Sequence, residues 1–382
     1  KLTLNRIFAA TEGEQPPILL TANLDTADRT QLGLDVNDFI VGEMPVDILI
    51  SPRPQGEPQI LLRANLAKSE LVIEPLAWKK APGRPATLQF EIVRPTKQRT
   101  ELQNFRIVGE DISMSGNLVL DARNKLREFS FPELTLHVVS RLQLSGNLRT
   151  DNVWDVNVRG QTLDGRDFFQ SLYAFDNLRS KPAPPRKDQS GLDLKAEIDN
   201  VLGHHDLALK SLRMQMQNRG GKTVAMTARG IVESSSREAG KPLDVAISQA
   251  PREPRRFIAR SDDAGQAFRL IGFFQNMVGG TMQLDMNLDG SGDAEKTGRL
   301  FVRNFAILGD PVAGDGPDNA DNRNNRRTQR QVVRSRLDFD SMNAEFRLGN
   351  GQVIIREADL RGQVLGVVLN GRADFRARNV HM

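Results

Sequence analysis

Four histidines, 48 carboxylates and no cysteine are what this 382-residue chain offers for chemistry. The histidines are His137, His204, His205 and His381. His204 and His205 are adjacent, and on a strand adjacent side chains point to opposite faces, so the pair cannot share a metal ion. Without cysteine there is no disulfide, thiol nucleophile or thiolate ligand. The chain has no Gly-x-Ser-x-Gly elbow, Walker phosphate loop or His-Glu-x-x-His helix. Acidic neighbours such as Asp262–Asp263 fall where a helix would begin and where its dipole favours negative charge. Helix-start residues explain them better than an acid–base pair does. These residues therefore nominate no catalytic residue, no metal and no cofactor. What recurs is apolar spacing, and its chemistry is to hold a hydrocarbon surface away from water.

The elements that carry this spacing are mostly strands. Ile112-Ser-Met-Ser-Gly-Asn-Leu-Val-Leu-Asp121 is echoed thirty residues later by Leu142-Gln-Leu-Ser-Gly-Asn-Leu-Arg-Thr-Asp151, with five of ten positions identical. Ile112, Met114, Leu118 and Leu120 keep one phase, as do Leu142, Leu144 and Leu148. Glu128–Val139 between them is a further strand, so the repeat reads as a pair of strands that adds to its neighbour. Gly116 and Gly146 are expected to mark bulges or bends. The same alternation places Leu192, Leu194 and Ile198 on one face, and likewise Met282, Leu284, Met286 and Leu288. Leu365, Val367, Leu369 and Phe375 share a phase near the end. Shorter strands are expected at Ile18–Leu24, Val46–Ile50, Ile60–Leu66 and Leu88–Val93, divided by proline-rich turns. Others are expected at Val153–Gly160, His205–Gln217, Thr223–Ile231, Leu243–Ser248, Arg299–Leu308, Leu337–Leu348 and Val353–Leu360.

Helices are few. Thr26–Leu32 reads as one helical turn opened by Asp25 or Thr26, and Gln161–Leu178 as a helix capped by Asp164. The longest expected helix is 261–278, capped by Ser261. Ala267, Phe268, Ile271, Phe274 and Val278 form its stripe, and Gly279–Gly280 end it. Trp78 reads as a buried anchor of a turn. Arg179–Gly191 (RSKPAPPRKDQSG) is charged, proline-rich and without periodicity. It divides residues 1–178, with the internal repeat, from a second β-rich part at 192–382.

Composition sets the outer bounds. Apolar residues are 39% of the chain, enough where each strand must cover only one face. Aromatics are 5%, which argues against a base-stacking surface, so no nucleic acid is expected as partner. Net charge is +4 from 52 basic and 48 acidic side chains, the balance of a solvated surface. No apolar run reaches the ~18–20 residues of a membrane-spanning helix. The chain opens at Lys1 without a signal peptide and stops on an amphipathic pattern at Met382. It reads as a piece of a longer protein whose anchor lies upstream.

Several motifs together resemble the AsmA-like family of bacterial envelope proteins. They are Asp262–Gly265, the Gly279–Gly280 link, Gly298–Leu300 followed by Asn304–Phe305, then Phe339–Asp340 and Asn350–Gly351. Asn23–Asp25 with Ala27–Arg29, Trp78–Lys80 with Gly83–Pro85, and Gly160–Asp164 extend the likeness, more loosely, over nearly the whole chain. The resemblance implies an elongated, curved, largely antiparallel repeat-type sheet forming a hydrophobic groove, with a few short helices. It also implies a periplasm-facing protein anchored in the inner membrane of a Gram-negative envelope, moving or holding phospholipids between the inner and outer membranes.

Ala313–Arg336 departs from the family, whose members carry a more apolar stretch there. Here acidic residues give way to Arg323, Arg326, Arg327, Arg330, Arg334 and Arg336. A solvated loop is the plain reading. The functional one is a contact with anionic headgroups or a partner. Three readings stay open for the whole chain: a groove for phospholipid acyl chains, a closed β scaffold for protein partners, and an enzyme for which no polar cluster is found.

Overall fold

The computed structural model describes residues 2–6, 16–31, 36–37, 39–73, 76, 78–174, 190–234, 239–289, 296–309, 336–349, 352–363, 365–374 and 379–381. The fold is mainly β, and its large sheet is not closed into a barrel. The elements begin β1 (Leu2–Arg6), β2 (Ile18–Leu24), α1 (Thr26–Gln31), β3 (Ile40–Val41), β4 (Met44–Ser51), β5 (Gln59–Asn65), β6 (Glu70–Ile73), β7 (Trp78–Lys80) and β8 (Ala86–Thr96). There follow β9 (Arg99–Gly109), β10 (Ile112–Asp121), β11 (Leu126–Leu136), β12 (Ser140–Leu148), β13 (Val153–Asp164), α2 (Arg166–Ala174), β14 (Gly191–Leu202), β15 (Leu207–Arg219) and β16 (Lys222–Ser234). The last are β17 (Lys241–Ser248), β18 (Arg256–Ser261), α3 (Ala264–Leu270), β19 (Met277–Asn287), β20 (Lys296–Leu308), β21 (Arg336–Gly349), β22 (Gln352–Arg361), β23 (Gly366–Asp374) and β24 (Asn379–His381).

The chain divides into two units. One holds Lys1–Asp167, Asn177–Asp199 and Gln217–Lys222, and the other holds Phe168–Asp176, Asn200–Met216 and Thr223–Met382. The division thus passes through β14 and β15, while 175–189, most of the expected linker, lie outside the described residues. In the first unit β1, β2, β4, β5, β8, β9, β10, β11, β12 and β13 pair in that order, each antiparallel to the next. The small sheet β3–β6–β7 stands apart from it. In the second unit β16 to β24 pair in sequence order, again antiparallel throughout.

Register turns sequence alternation into faces. In the first unit Leu20 lies opposite Ile48, Ile48 opposite Leu62, and Leu62 opposite Phe90. Beyond them Ile107 meets Met114, Met114 meets Leu134, Leu134 meets Leu142, and Leu144 meets Val158. One side of the ladder is therefore apolar across nine strands, and Thr21, Asp47, Arg63, Gln89 and Arg106 hold the other. Leaving hydrocarbon on such a side in water is unfavourable by about 25 cal/mol per Å².

At one rim of that side the chain supplies the cover. Arg29 of α1 is fully buried, and its guanidinium donates to the carbonyls of Leu24, Ile40 and Gly42, to Asn37 Oδ1 and to Thr26 Oγ1. Lys80 Nζ is buried too and donates to the carbonyls of Ser69, Ala81 and Arg84; burial pushes its pKa below the ordinary lysine value. Arg29 thereby ties α1 to the end of β2 and to β3, and Lys80 ties β7 to the segments on either side of the small sheet. Trp78 is buried as expected, at 2% exposure, but it opens strand β7 instead of anchoring a turn, and its ring lies 6.2 Å from that of His137.

Expectation and structure differ at several elements. The expected helix 261–278 is only Ala264–Leu270, and its cap is Asp263, which accepts from the Gln266 N–H at 2.8 Å. Ser261 ends β18 instead and donates to the Pro242 carbonyl. Gly279 and Gly280 lie inside β19 with φ of 66° and 88°, so their left-handed backbone belongs to a strand that keeps its register with β20 rather than to a helix cap. Helix 161–178 begins at Arg166, since β13 runs on to Asp164, whose Oδ1 accepts from the Arg166 N–H. His204 and His205 sit in the turn after β14 and not on a strand. Strands β1, β3, β6, β7, β9, β18 and β24 fall outside the expected ones. The Asp25 cap of α1 is present, accepting from the Asp28 N–H at 2.8 Å.

Candidate functional site

The apolar side of each ladder is buried at one end of its strands and half-exposed at the other. In the first unit Met44, Val46, Ala64, Ala86, Leu88, Ile107, Ile112, Leu136 and Leu142 are buried beside the covered rim. Further along the same strands Ile48, Ile50, Ile60, Ile92, Met114, Leu118, Leu120, Leu144 and Leu148 are only half-buried. Ile112 and Leu142 thus sit at the covered rim, and the other five repeat residues line the open part. On β14, Leu192 and Leu194 are half-buried and Ile198 is buried.

The second unit repeats the arrangement with α3 as its cover. Ala264, Ala267 and Phe268 join Met277, Met282, Val302, Phe305, Phe339, Met342 and Leu360 in one core. Leu284, Met286 and Leu288 are half-buried beyond it, with Leu284 paired between Ala259 and Leu300. Val367 and Leu369 are half-buried opposite Leu360 and Ala358. Leu365 precedes β23 and is 45% exposed. Phe375 lies outside the described residues, as do Arg323, Arg326, Arg327, Arg330 and Arg334. Arg336 opens β21 and pairs with Asp338 at 2.9 Å.

Aromatic residues that spacing alone did not nominate run through the first unit's apolar side. Phe90 stacks on Phe105 with centroids 5.9 Å apart, and Phe105 lies 5.6 Å from Phe131. Phe131 is 5.7 Å from Phe129, which is 5.6 Å from Trp154. The intervening strands β10 and β12 contribute glycine. A Cβ on Gly116 would stand 2.7 Å from Phe131 Cδ1, and one on Gly146 would stand 2.5 Å from both Phe129 Cε1 and Cζ. Each ring therefore leans over a glycine backbone.

A textual signal for this row exists. Leu102-Gln-Asn-Phe-Arg-Ile-Val-Gly109 is echoed by Val302-Arg-Asn-Phe-Ala-Ile-Leu-Gly309. Asn104 and Asn304 both have φ of 53°, and the phenylalanine after each faces a glycine, Gly116 in one case and Gly279 in the other.

The opposite, polar side carries the charge. Arg99 pairs with Glu101, Arg127 with Asp121, and Arg149 and Arg219 both with Asp193. In the second unit Arg256 pairs with Asp285 and Arg299 with Glu345. Such exposed pairs contribute about 0–1 kcal/mol each, so their main effect is to keep that side in water. A shallow cavity of about 390 Å³ opens there beside Asn104, lined by Arg99, Glu101, Gln103 and Glu128. It is the outer mark of the bulge, with Glu101 already held by Gln103 and Arg99. Among the described residues no three His, Asp or Glu side chains stand together as metal ligands, and no helix is long and apolar enough to cross a membrane.

No family model, no curated protein and no solved structure matches the chain.

Proposed function

We propose that the half-open apolar sides hold the acyl chains of phospholipids, and that the chain serves lipid movement or storage in a bacterial envelope rather than catalysis. The observation that carries this is the burial gradient: on most strands of the first unit's ladder the same apolar phase is sealed at one rim and left half-exposed over the rest. A methylene transferred from water to such a surface contributes about 0.8 kcal/mol, so ten of them favour association by about 8 kcal/mol before ordering costs. The likeness to AsmA-like proteins supports the envelope setting and the two membranes as donor and acceptor.

The test is lipid extraction and native mass spectrometry of the chain repurified after incubation with phospholipid vesicles. Bound phospholipid is expected. Protein that emerges lipid-free would sink the reading and favour the closed scaffold.

A further inference from the structure

The aromatic row of the first unit is open where its counterpart is closed. Phe305 and Phe339 stack 5.3 Å apart and are both buried in the core that α3 completes. Phe105 follows a left-handed asparagine as Phe305 does, yet Phe105 and Phe131 remain half-buried, as do Phe129 and Trp154, while Phe90 at the end of the row is buried. Resting on the reading above, we propose that Phe90, Phe105, Phe131, Phe129 and Trp154 form the subsite of one fatty acyl chain, which lies across strands β8 to β13 rather than along them.

Three features support this occupant. The row crosses six strands, about 24 Å at the usual strand spacing of ~4.8 Å, which gives one long chain room in extended form. No charged side chain stands on this face at the paired positions of β8–β13, so a neutral hydrocarbon is the complementary ligand and a charged peptide is not. The rings leaning over Gly116 and Gly146 make a continuous low floor in place of separate pegs, and a methylene chain can touch it along its length.

The two tryptophans supply the readout. Trp78 is 2% exposed in the small sheet, whereas Trp154 ends the row and is half-buried. The full chain is titrated with dibrominated stearate, whose bromines quench indole emission at contact, with plain stearate as control and bound fatty acid measured by extraction. The Trp78→Phe variant, which reports Trp154 alone, is expected to lose most of its emission, while Trp154→Phe stays bright. Stearate bound without quenching in Trp78→Phe overturns the subsite and leaves the acyl-chain reading standing. Equal quenching in the two variants also overturns the subsite. Neither stearate nor phospholipid bound overturns both readings. A dimer in sedimentation that leaves Trp154 unquenchable overturns the subsite in favour of a second copy as its cover.

Discussion

Gly146 has a ring where its side chain would be, and a ring, unlike a backbone atom, can rotate aside. Gly146→Ala is expected to tip Phe129 off the sheet and lower stability by about 1–3 kcal/mol, read from urea unfolding. Gly116→Ala should cost more, because the nearest atom to its Cβ is the Ser130 backbone oxygen at 2.0 Å, which cannot rotate away. The two glycines look equivalent in the sequence repeat. Only Gly116 lies at a register shift, while Gly146 pairs regularly with Phe129 and Val156. What a glycine does depends on the partner strand, and the repeat does not contain that strand. Asp164 is a second residue with a clear consequence. The Arg166 side chain, donating to it, holds its pKa below the ordinary carboxylate value. Its contribution to stability is therefore fully present above the unfolded pKa near 3.9 and lost as pH falls through the folded one. Asp164→Asn should flatten the acid limb of a melting-temperature profile below about pH 4. A limb of unchanged steepness would show that other carboxylates set it.

At the scale of elements, periodicity located most strands because one wet and one dry face is a strong signal, and β2 runs as expected from Ile18 to Leu24. It overextended α3 because Phe274 and Val278 continue the helical phase by accident after the chain has left the helix. Phe274 is 36% exposed and Val278 belongs to β19. Glycines with positive φ serve inside a strand as well as at a cap, and sequence does not separate the two uses. The candidate lining was legible for the same reason as the strands. The aromatic row was not, because its members come from β8, β9, β11 and β13 and only register aligns them. Two substitutions separate cover from open face. Leu270→Ala empties a fully buried site in α3 and is expected to cost about 2–5 kcal/mol in chemical denaturation. Leu284→Asp on the half-exposed part of β19 should leave the fold in place, since water can reach the new carboxylate, while lowering phospholipid recovered by extraction. A mutant that melts far below the parent would place Leu284 in a sealed core.

Apolar and charged side chains lie on different faces of the ladders, and salt should act on them differently. Replacing Arg326, Arg327 and Arg330 with alanine is expected to weaken sedimentation with anionic vesicles, and high salt should mimic the change. Binding that is unaffected by both would leave that segment a solvated loop. Extracted acyl-chain content should respond to neither. From β8 to β13, and again from β16 to β24, each strand bonds to its immediate neighbour in the chain. A strand emerging during synthesis thus meets a finished edge, and apart from the links from β18 to β19 and from β20 to β21 each closure spans a short loop, so most of such a sheet grows by zipping and does not have to wait for distant segments to find each other. Its growing edge is also its most adhesive surface, which makes the pace of elongation a determinant of yield.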